Sequence, residues 1–407
     1  MSEVSTAPVP EARRIVALDV LRGFAILGIL VINVQSFSMI AAAYLNPAAG
    51  RELEGVNLWI WAASYLLADQ KFMTIFALLY GAGIVLLTDR IEARGGRPAR
   101  IHYGRTLWLL VIGLAHAWLL WFGDILVPYA LCALWAYAFR EAEVRTLLMT
   151  GAIVVGVASM LSLSAWLSMP HWPEAELQAA LLDWSPPPAA VAAEIEAYRG
   201  GWLQQMDRRI PAAVEMQTSI FLFWSLWRAG GLMLVGMALY RLGVLSARRS
   251  DRFYARMATV GLPVGWALVA TGIGRSVAAD FAFRDTMFLN SQLNYWGSIP
   301  VSLGYVAVVM LACRRGWLPG LQRRLAAVGR MALTNYLAQT LACTWIFYGH
   351  GLGLFERVER PGQLVVVAVV TAAQLLWSPW WMARFRFGPA EWIWRSLTYW
   401  RVQPLRR

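Results

Sequence analysis

Apolar segments of about 20 residues recur along this chain, and short connections rich in arginine separate them. A helix of that length crosses the hydrocarbon core of a bilayer. The first segment, about 15–39, is apolar except for a few side chains that include Asp19, Arg22 and Asn33. At about 100° per residue these three fall within an arc of roughly 60°, so one face of the predicted helix is polar. Polar groups at membrane depth usually face other helices or a water-filled cavity.

The arginines predict how the segments cross the membrane, because short arginine-rich loops stay on the cytoplasmic side. Residues 57–88 are long enough for two spans. The arginine-rich loop at 89–105 that follows is predicted to be cytoplasmic, however, and only one net crossing of the membrane is compatible with that. We therefore predict one span at 70–88 and a short helix at 57–68 that is interfacial or re-entrant. The same rule predicts an all-α polytopic bundle of about ten transmembrane helices with both termini in the cytoplasm. In order, the predicted spans are about 15–39, 70–88, 104–122, 124–139, 146–168, 218–240, 257–277, 297–313, 329–348 and 363–383.

The composition supports this class of protein. The chain of 407 residues is 59% hydrophobic and only 15% charged, whereas soluble proteins carry about 25% charged residues. The net charge of +12 does not indicate nucleic acid, because the arginines lie in short loops between apolar segments. We expect a lipid bilayer as the partner and no nucleic acid; the sequence leaves the oligomeric state open. The three cysteines lack metal-type spacing and imply no disulfide, and no metal site is predicted.

His116 and Asp124 are the strongest candidates for chemistry. His116 lies about 11 residues beyond Arg105, roughly 16 Å along the predicted third span and in its outer half. Histidine is an available general base near neutral pH; the alternative is a histidine that is hydrogen-bonded between helices. Asp124 follows in a tight turn and is well placed to cap the fourth helix. A capping carboxylate can also orient His116, so the two interpretations are compatible.

Two further spans carry polar side chains. Asn335, Gln339 and His350 lie within about 60° of one another if the ninth helix is continuous. They form either a second polar stripe or a set of interhelical hydrogen bonds with a loop histidine. Arg228 lies roughly 13 Å into the sixth span, where a guanidinium needs a partner or a cavity. It either binds a phosphate or carboxylate ligand or forms a structural ion pair.

Charged residues at the ends of spans also have two interpretations each. Lys71, at the outer end of the second span, is either functional or simply extends to the interface. Asp19 and Arg22 at the inner end of the first span either pair with each other, or Arg22 receives an anionic cytoplasmic ligand. Glu391 and Arg395 lie in a proline-started interfacial helix that either anchors the chain or lines an inner pocket.

Six segments carry a resemblance to a known family. They are, in order, LDVLRGFAILGILVINV, DQKFMTIFALLYGAG, GLAHAWLLWFGDILVPYAL, GRMALTNYLAQT, FYGHGLGL and FGPAEWIWRSLTY. In these the chain resembles the YeiB-like bacterial membrane proteins of unknown function, over roughly 15–140 and 218–400. The resemblance implies a multi-pass protein of the bacterial cytoplasmic (inner) membrane. For the remaining parts we predict a disordered cytoplasmic N-terminus at 1–14, the fifth span and an outer loop with an amphipathic helix at about 190–210 within 141–217, and a cytoplasmic tail at 401–407.

The N-terminal region at 15–140 is also similar to transmembrane acyltransferases of the heparan glucosamine acetyltransferase type. Those enzymes move an acyl group from cytoplasmic acyl-CoA to a sugar on the other side of the membrane. The shared element is Asp-x-x-Arg-Gly, here Asp19, Arg22 and Gly23. Such enzymes place a catalytic histidine near the outer part of the first helix, where this chain has Asn33. If the chemistry is retained, His116 has to supply the base.

The resemblance therefore implies transfer from acyl-CoA or acetyl-CoA to an extracytoplasmic acceptor such as an envelope glycan or lipid. His116 and Asp124 would be catalytic, and a mid-membrane chamber would be lined by Asn33, His116, Arg228, Asn335 and Gln339. The predicted substrate- or cofactor-binding residues are Asp19, Arg22, Asn33, Lys71, Arg228, Asn335, Gln339, His350, Glu391 and Arg395. The alternative is a transporter or flippase of an anionic or amphipathic solute. A non-catalytic membrane scaffold is a third hypothesis, for which buried polar stripes would be unnecessary.

Overall fold

A computed structural model describes residues 15–407 of this protein, and the predicted disorder of residues 1–14 lies outside that range. The described residues form helices and connecting segments, with one isolated antiparallel bridge between Phe385 and Arg406. The first nine helices are α1 (Val16–Ser38), α2 (Ala42–Leu45), α3 (Gly55–Leu67), α4 (Lys71–Glu92), α5 (Pro98–Leu119), α6 (Leu126–Ala136), α7 (Val144–Ser168), α8 (Glu174–Trp184) and α9 (Pro188–Arg199). The others are α10 (Met206–Gln217), α11 (Leu226–Arg241), α12 (Asp251–Ala278), α13 (Ser291–Arg315), α14 (Pro319–Arg330), α15 (Ala332–Phe347), α16 (Arg360–Arg384) and α17 (Pro389–Tyr399).

Seven helical stretches within residues 15–407 are long and apolar enough to cross a bilayer. They are Val16–Ser38, Gly55–Glu92, Val144–His171, Met206–Arg241, Asp251–Ala278, Asp285–Arg315 and Arg360–Arg384. The predicted third, fourth and ninth spans correspond to α5, α6 and α15, which are not among the seven; α6 and α15 have only 11 and 16 residues. The all-α polytopic membrane bundle is thus confirmed, and the count of ten spans and the orientation stay predictions.

The central helices are α1, α4, α11 and α13, because more than half of the apolar stretch that contains each of them is buried by protein. Fewer than a third of the residues are buried in the stretches of α7, α12 and α16, which therefore form the lipid-facing periphery. We call the end of the bundle where α1 begins and α4 ends the basic face, after the arginine-rich segment 89–105. The other end is the opposite face. The positive-inside rule predicts that the basic face is cytoplasmic.

Three local predictions need correction. The ninth predicted span begins at 329, but α14 ends at Arg330 and a new helix begins at Ala332, since Met331 leaves the helical conformation with φ −114° and ψ 32°. The single amphipathic helix predicted at about 190–210 is two helices, α9 and α10, which Gly200 and Gly201 separate. Helix α5 begins at Pro98, before the predicted start of the third span at about 104 and inside the segment that we predicted as a loop.

The glycine of the Asp-x-x-Arg-Gly element has a packing role. A Cβ added to Gly23 would lie 2.0 Å from the carbonyl oxygen of Leu325. On the facing helix, a Cβ added to Gly329 would lie 1.9 Å from the carbonyl oxygen of Asp19. Only glycine at both positions lets α1 and α14 approach this closely. The contact holds the start of α1 against the junction of α14 and α15.

Candidate active site between two cavities

A chain of three side chains joins α5, the α5–α6 connection and α15. The His116 Nδ1 atom lies 2.7 Å from Oδ1 of Asp124, and His116 Nε2 lies 2.9 Å from Oγ1 of Thr340. All three residues are buried, with 1–3% of their surface exposed. The arrangement matches a nucleophile, a base and an orienting carboxylate within hydrogen-bond reach.

Local structure explains why Asp124 returns to His116. The carbonyl of His116 accepts hydrogen bonds from the N–H groups of Leu120 and Trp121, which end α5. The chain then turns, and Asp124 Oδ2 accepts the N–H of Val127 at 2.7 Å, so the predicted capping of the fourth helix is confirmed. The other carboxylate oxygen is left to face His116.

The contacts also define the tautomer of His116. An ionised Asp124 can only accept, so Nδ1 of His116 carries the hydrogen and Nε2 is left as the acceptor. Oγ1 of Thr340 then donates to Nε2 at 2.9 Å. In this state the imidazole is ready to take the hydroxyl proton.

A cavity of about 490 Å³ opens toward the basic face. Six arginines and two acidic residues line it, and its inner end is formed by Ile125, Leu126, Tyr129 and Tyr336. The charged lining residues are Asp19, Arg22, Arg90, Arg94, Arg105, Arg330, Glu391 and Arg395. Guanidinium groups suit phosphate and carboxylate, so the cavity fits an anionic ligand; we call it the basic cavity.

The basic cavity ends one helical turn from the buried site. Tyr336 lines the cavity and lies four residues before Thr340 on α15, a rise of about 6 Å. The rings of Tyr336 and His116 have centroids 5.0 Å apart. The Tyr336 hydroxyl accepts the N–H of Ile125 at 3.2 Å, so its own hydrogen can be donated to a ligand. Tyr336 therefore separates the cavity from the His116–Thr340 contact.

Four of the predicted binding residues meet at this cavity. Arg22 donates to Asp19 at 3.0 Å and also reaches the carbonyl of Gly329 at 3.5 Å. The predicted pairing on α1 is therefore present, and both residues still line the cavity. Glu391 and Arg395 reach the same space from α17, consistent with the predicted inner pocket.

Glu391 also accepts hydrogen bonds from the first turn of α15. Its Oε1 accepts the N–H groups of Leu333 and Thr334 at 2.7 and 3.1 Å, and its Oε2 accepts the Thr334 hydroxyl. A carboxylate at a helix N-terminus is favoured by the helix dipole. Burial nevertheless raises the pKa of Glu391 above its ordinary value, although the hydrogen bonds with Thr334 and Leu333 oppose that shift.

Lys71 and Arg228 lie in a different cluster, at the junction of α4, α11 and α13. Lys71 Nζ donates to the Asn294 side chain at 2.6 Å and to the Tyr65 carbonyl at 2.7 Å, and Asn294 donates to Asp69 at 2.6 Å. The Arg228 guanidinium donates to Tyr295, Thr74 and Ser298 and lies 4.3 Å from the Tyr295 ring centroid. Neither cation lines the two cavities described here.

Asn335 and Gln339 form a third network that faces α1 and α16. Asn335 donates to Ser378 and to the Val328 carbonyl, both at 3.1 Å. Gln339 donates to the Ile26 carbonyl at 3.0 Å and to Gln374 at 2.9 Å. These are the interhelical hydrogen bonds that the sequence left as an alternative. Asn33, half-buried on α1, is not a lining residue of either cavity.

His350 is not on the same helix as Asn335 and Gln339. Helix α15 ends at Phe347, and the next residues form turns, so the continuous polar stripe predicted through His350 is wrong. The Nδ1 atom of His350 lies 3.3 Å from Nε2 of Gln205. Burial, with the nearby Arg209, lowers the pKa of His350 below its usual range. His350 contributes instead to a second pocket near the opposite face.

Comparison with known proteins adds the family. The chain is 35% identical to the uncharacterized protein YeiB of Escherichia coli (strain K12), over 95% of this chain and 96% of that protein. It is 31% identical to the uncharacterized protein YxaH of Bacillus subtilis (strain 168), over 98% of each chain. The chain belongs to the YeiB-like family. Residues 239–401 match the family model described as a protein of unknown function, DUF418. No solved structure gives a significant match.

Sequence reasoning missed Thr340 and four of the cavity arginines of this YeiB-like protein. A signal for Thr340 was available in the i, i+4 spacing of Tyr336, Thr340 and Thr344, which places three hydroxyl groups on one face of α15. The arginines at 90, 94 and 105 were interpreted only as markers of topology, and Arg330 was not singled out. Within residues 15–407, no three His, Cys, Asp or Glu side chains are grouped to hold a metal ion.

Proposed function

We propose that this protein is an acyltransferase of the bacterial cytoplasmic membrane. It takes an acyl group from acyl-CoA bound in the basic cavity and delivers it to an acceptor on the opposite side. The observation that carries the proposal is the Asp124–His116–Thr340 chain one helical turn beyond the end of an arginine-lined cavity. The names of its relatives give no activity; this geometry and the similarity of the first span to transmembrane acyltransferases support the proposal.

The charge of the cavity suits the donor. Coenzyme A carries several phosphate charges, and six arginines against two carboxylates line the space. Binding of the phosphates near the basic face would direct the acyl thioester inward, toward the apolar end at Ile125, Leu126 and Tyr336. Tyr336 is placed to donate its hydroxyl hydrogen to the thioester oxygen as negative charge develops there.

The first step uses Thr340 as the nucleophile. Its Oγ1 attacks the thioester carbon, and the hydroxyl proton passes to Nε2 of His116, 2.9 Å away. The new C–O bond replaces the C–S bond, and the CoA sulfur leaves with the proton that His116 returns. Asp124 stabilises the transient imidazolium through the 2.7 Å contact with Nδ1. The products are free CoA thiol and an ester on Thr340.

The second step reverses these roles. A hydroxyl or amine of the acceptor gives a proton to His116 and attacks the ester carbon. The C–O bond to Thr340 breaks, and Thr340 recovers its hydrogen from His116. An acyl group held on a side chain between two cavities crosses the barrier without the CoA moving with it, which suits a two-sided transfer.

The test uses the purified protein in proteoliposomes. Acetyl-CoA with a labelled acetyl group is supplied on the side of the basic face, with envelope glycans or lipids on the other side. We expect label on the acceptor and unlabelled CoA on the supply side. Label that stays on CoA after extended incubation, under conditions where the protein remains folded, overturns the proposal.

A transporter or flippase of an anionic amphipathic solute is the second candidate. It is favoured by one observation, namely that cavities approach His116 from both sides of the bundle. The same proteoliposomes separate the two functions if CoA carries a second label on its adenine. Movement of both labels together indicates transport, whereas movement of the acetyl label alone indicates transfer.

A further inference from the structure

A second pocket, of about 520 Å³, lies on the other side of the His116–Thr340 contact from the basic cavity. Its walls are mainly apolar: Leu120, Trp202, Leu341, Ala342 and Trp345. Thr344 and His350 supply its polar groups. We call it the lateral pocket.

The mouth of the lateral pocket faces lipid. Leu341 and Trp345 are 54% and 59% exposed, although α15 carries buried polar residues on its other faces. Large apolar side chains exposed on a helix of a membrane bundle lie against hydrocarbon. The molecules present at this mouth are therefore bilayer lipids, and an apolar chain can leave the pocket there without meeting water.

The polar end of the lateral pocket has a defined support. Trp202 Nε1 and the Arg209 guanidinium donate to the Leu119 carbonyl at 2.8 and 2.7 Å, which closes the end of α5. Arg209 also donates to Gln205 at 2.6 Å, and Gln205 reaches His350. Hydrogen-bonded polar residues thus support one end of the pocket beside an apolar opening, which is the division that an amphipathic ligand requires.

The pocket also lies within reach of the candidate chemistry. Leu120 follows His116 by one turn, and its N–H donates to the His116 carbonyl at 2.9 Å. Thr344 follows Thr340 by one turn, a rise of about 6 Å. A headgroup held between Thr344 and His350 would place a hydroxyl or amine near the ester that we assign to Thr340.

We infer that the lateral pocket binds the headgroup and upper chain of a membrane lipid, and that this lipid is the acyl acceptor. The headgroup lies between Thr344 and His350, and the hydrocarbon chain passes Leu341 and Trp345 into the bilayer. The acceptor role of this lipid rests on the proposed function, whereas the binding of a lipid does not. The acceptor class is thus a lipid with a hydroxyl or amine in its headgroup rather than a soluble glycan.

Photolabelling tests lipid binding independently of transfer. The full-length protein is placed in nanodiscs that contain phosphatidylethanolamine with a diazirine in the acyl chain next to the glycerol, and labelled peptides are mapped. We expect residues 341–345 to be labelled more strongly than the exposed residues 364, 365, 368 and 369 of α16. The variant Ala342→Trp fills the pocket and should reduce labelling of 341–345 to the level of α16. The matched control is Ala373→Trp on the exposed face of α16, which should leave the pattern unchanged.

Equal labelling of the two segments, or labelling of 341–345 that Ala342→Trp does not change, overturns the lipid site. The acceptor role has its own readout. With acetyl-CoA present, Ala342→Trp should form the ester on Thr340 but pass it on slowly, so the ester accumulates relative to wild type. Ester that turns over at the wild-type rate in this variant overturns the acceptor role. Labelling without any transfer of the acetyl group from acetyl-CoA in wild type leaves the lipid site standing and removes the proposed function.

Discussion

Two buried polar clusters in this protein show how differently membrane-embedded charge can be used. The cluster at α4, α11 and α13 holds Lys71, Asp69 and Arg228, and its cations are surrounded by carbonyl, amide and hydroxyl oxygens. The site at α5 and α15 holds His116, Asp124 and Thr340 and lies between two cavities. Burial is almost complete in both.

The difference lies in what each cluster adjoins. In the α4–α11–α13 cluster, contacts with main-chain and side-chain oxygens from three helices bind the charges in place, as a structural network does. The His116 site has a hydroxyl poised on an acceptor nitrogen and a space for ligand one turn away on each side. The sequence shows that Arg228 is charged and lies deep in a predicted span. These two properties alone therefore do not distinguish a functional residue from a structural one.

The largest effect should come from His116→Gln. The amide keeps the size of the imidazole but cannot accept and return a proton, so we expect transfer in proteoliposomes to fall by about 10²–10⁴-fold. Thermal unfolding in detergent should change little compared with the effect of Arg228 variants. A folded His116→Gln protein that transfers at the wild-type rate would remove His116 from the chemistry.

Thr340 is tested by two substitutions of different kinds. Thr340→Ser keeps the hydroxyl near Nε2 of His116 and should keep measurable transfer, whereas Thr340→Val keeps the shape and removes the nucleophile. We expect Thr340→Val to lose transfer almost as completely as His116→Gln. Equal activity of the serine and valine variants would mean that the acceptor attacks the thioester directly.

The α4–α11–α13 cluster should respond in stability. Arg228→Met removes the charged donor of Thr74, Ser298 and the Tyr295 carbonyl, so three buried hydrogen bonds to a guanidinium are lost. A hydrogen bond to a charged group contributes about 1.5–3 kcal/mol, so the loss of three of them should lower the unfolding temperature and reduce expression. Transfer per folded molecule should stay close to wild type. A stable Arg228→Met protein with greatly reduced transfer would contradict the division between the clusters.

A smaller effect is expected in the basic cavity. Arg22→Gln removes one guanidinium from a lining of six arginines, and a hydrogen bond to a charged group contributes about 1.5–3 kcal/mol. Because Arg22 is partly exposed and paired with Asp19, we expect a value at the low end, seen as a higher KM for acyl-CoA with little change in kcat. Arg323→Gln, an exposed arginine of α14 outside the cavity lining, is the control.

The smallest effect concerns Glu391. Burial raises its pKa above 4.5 in the folded protein, so its contribution to stability is present below pH 4.5 and is lost as the pH rises through the folded pKa. The unfolding temperature of wild type should therefore fall relative to that of Glu391→Gln as the pH rises from below 4.5 through the folded pKa of Glu391. A difference that does not depend on pH would show that Glu391 acts at α15 only through its hydrogen bonds.

The sequence predicted the fold better than the site. Arginine-rich loops and apolar lengths predicted the helices at 70–88, 146–168 and 363–383 to within a few residues. The break at Met331 was missed because the arginine-rich segment before 329 was predicted as a loop, so no helix was expected to end there. His116 and Asp124 were found because they are close in sequence and flank a turn.

The rest of the site depends on contacts between distant segments. Thr340 meets His116 across 224 residues of chain, and no local pattern indicates that pairing. The same holds for Asn335 and Gln339, whose partners Ser378 and Gln374 lie on α16. Polar spacing along one helix shows which residues share a face, and the neighbouring helix decides which of them meets a cavity.

The central claim is that Thr340 carries the acyl group between the two cavities. Purified protein is mixed with labelled acetyl-CoA without acceptor, quenched in acid and digested, and the peptide that contains Thr340 is examined by mass spectrometry. We predict an acetyl group on Thr340 in wild type, none in Thr340→Val, and a greatly reduced amount in His116→Gln. Transfer to acceptor at the wild-type rate with no acetyl group on that peptide would contradict the account.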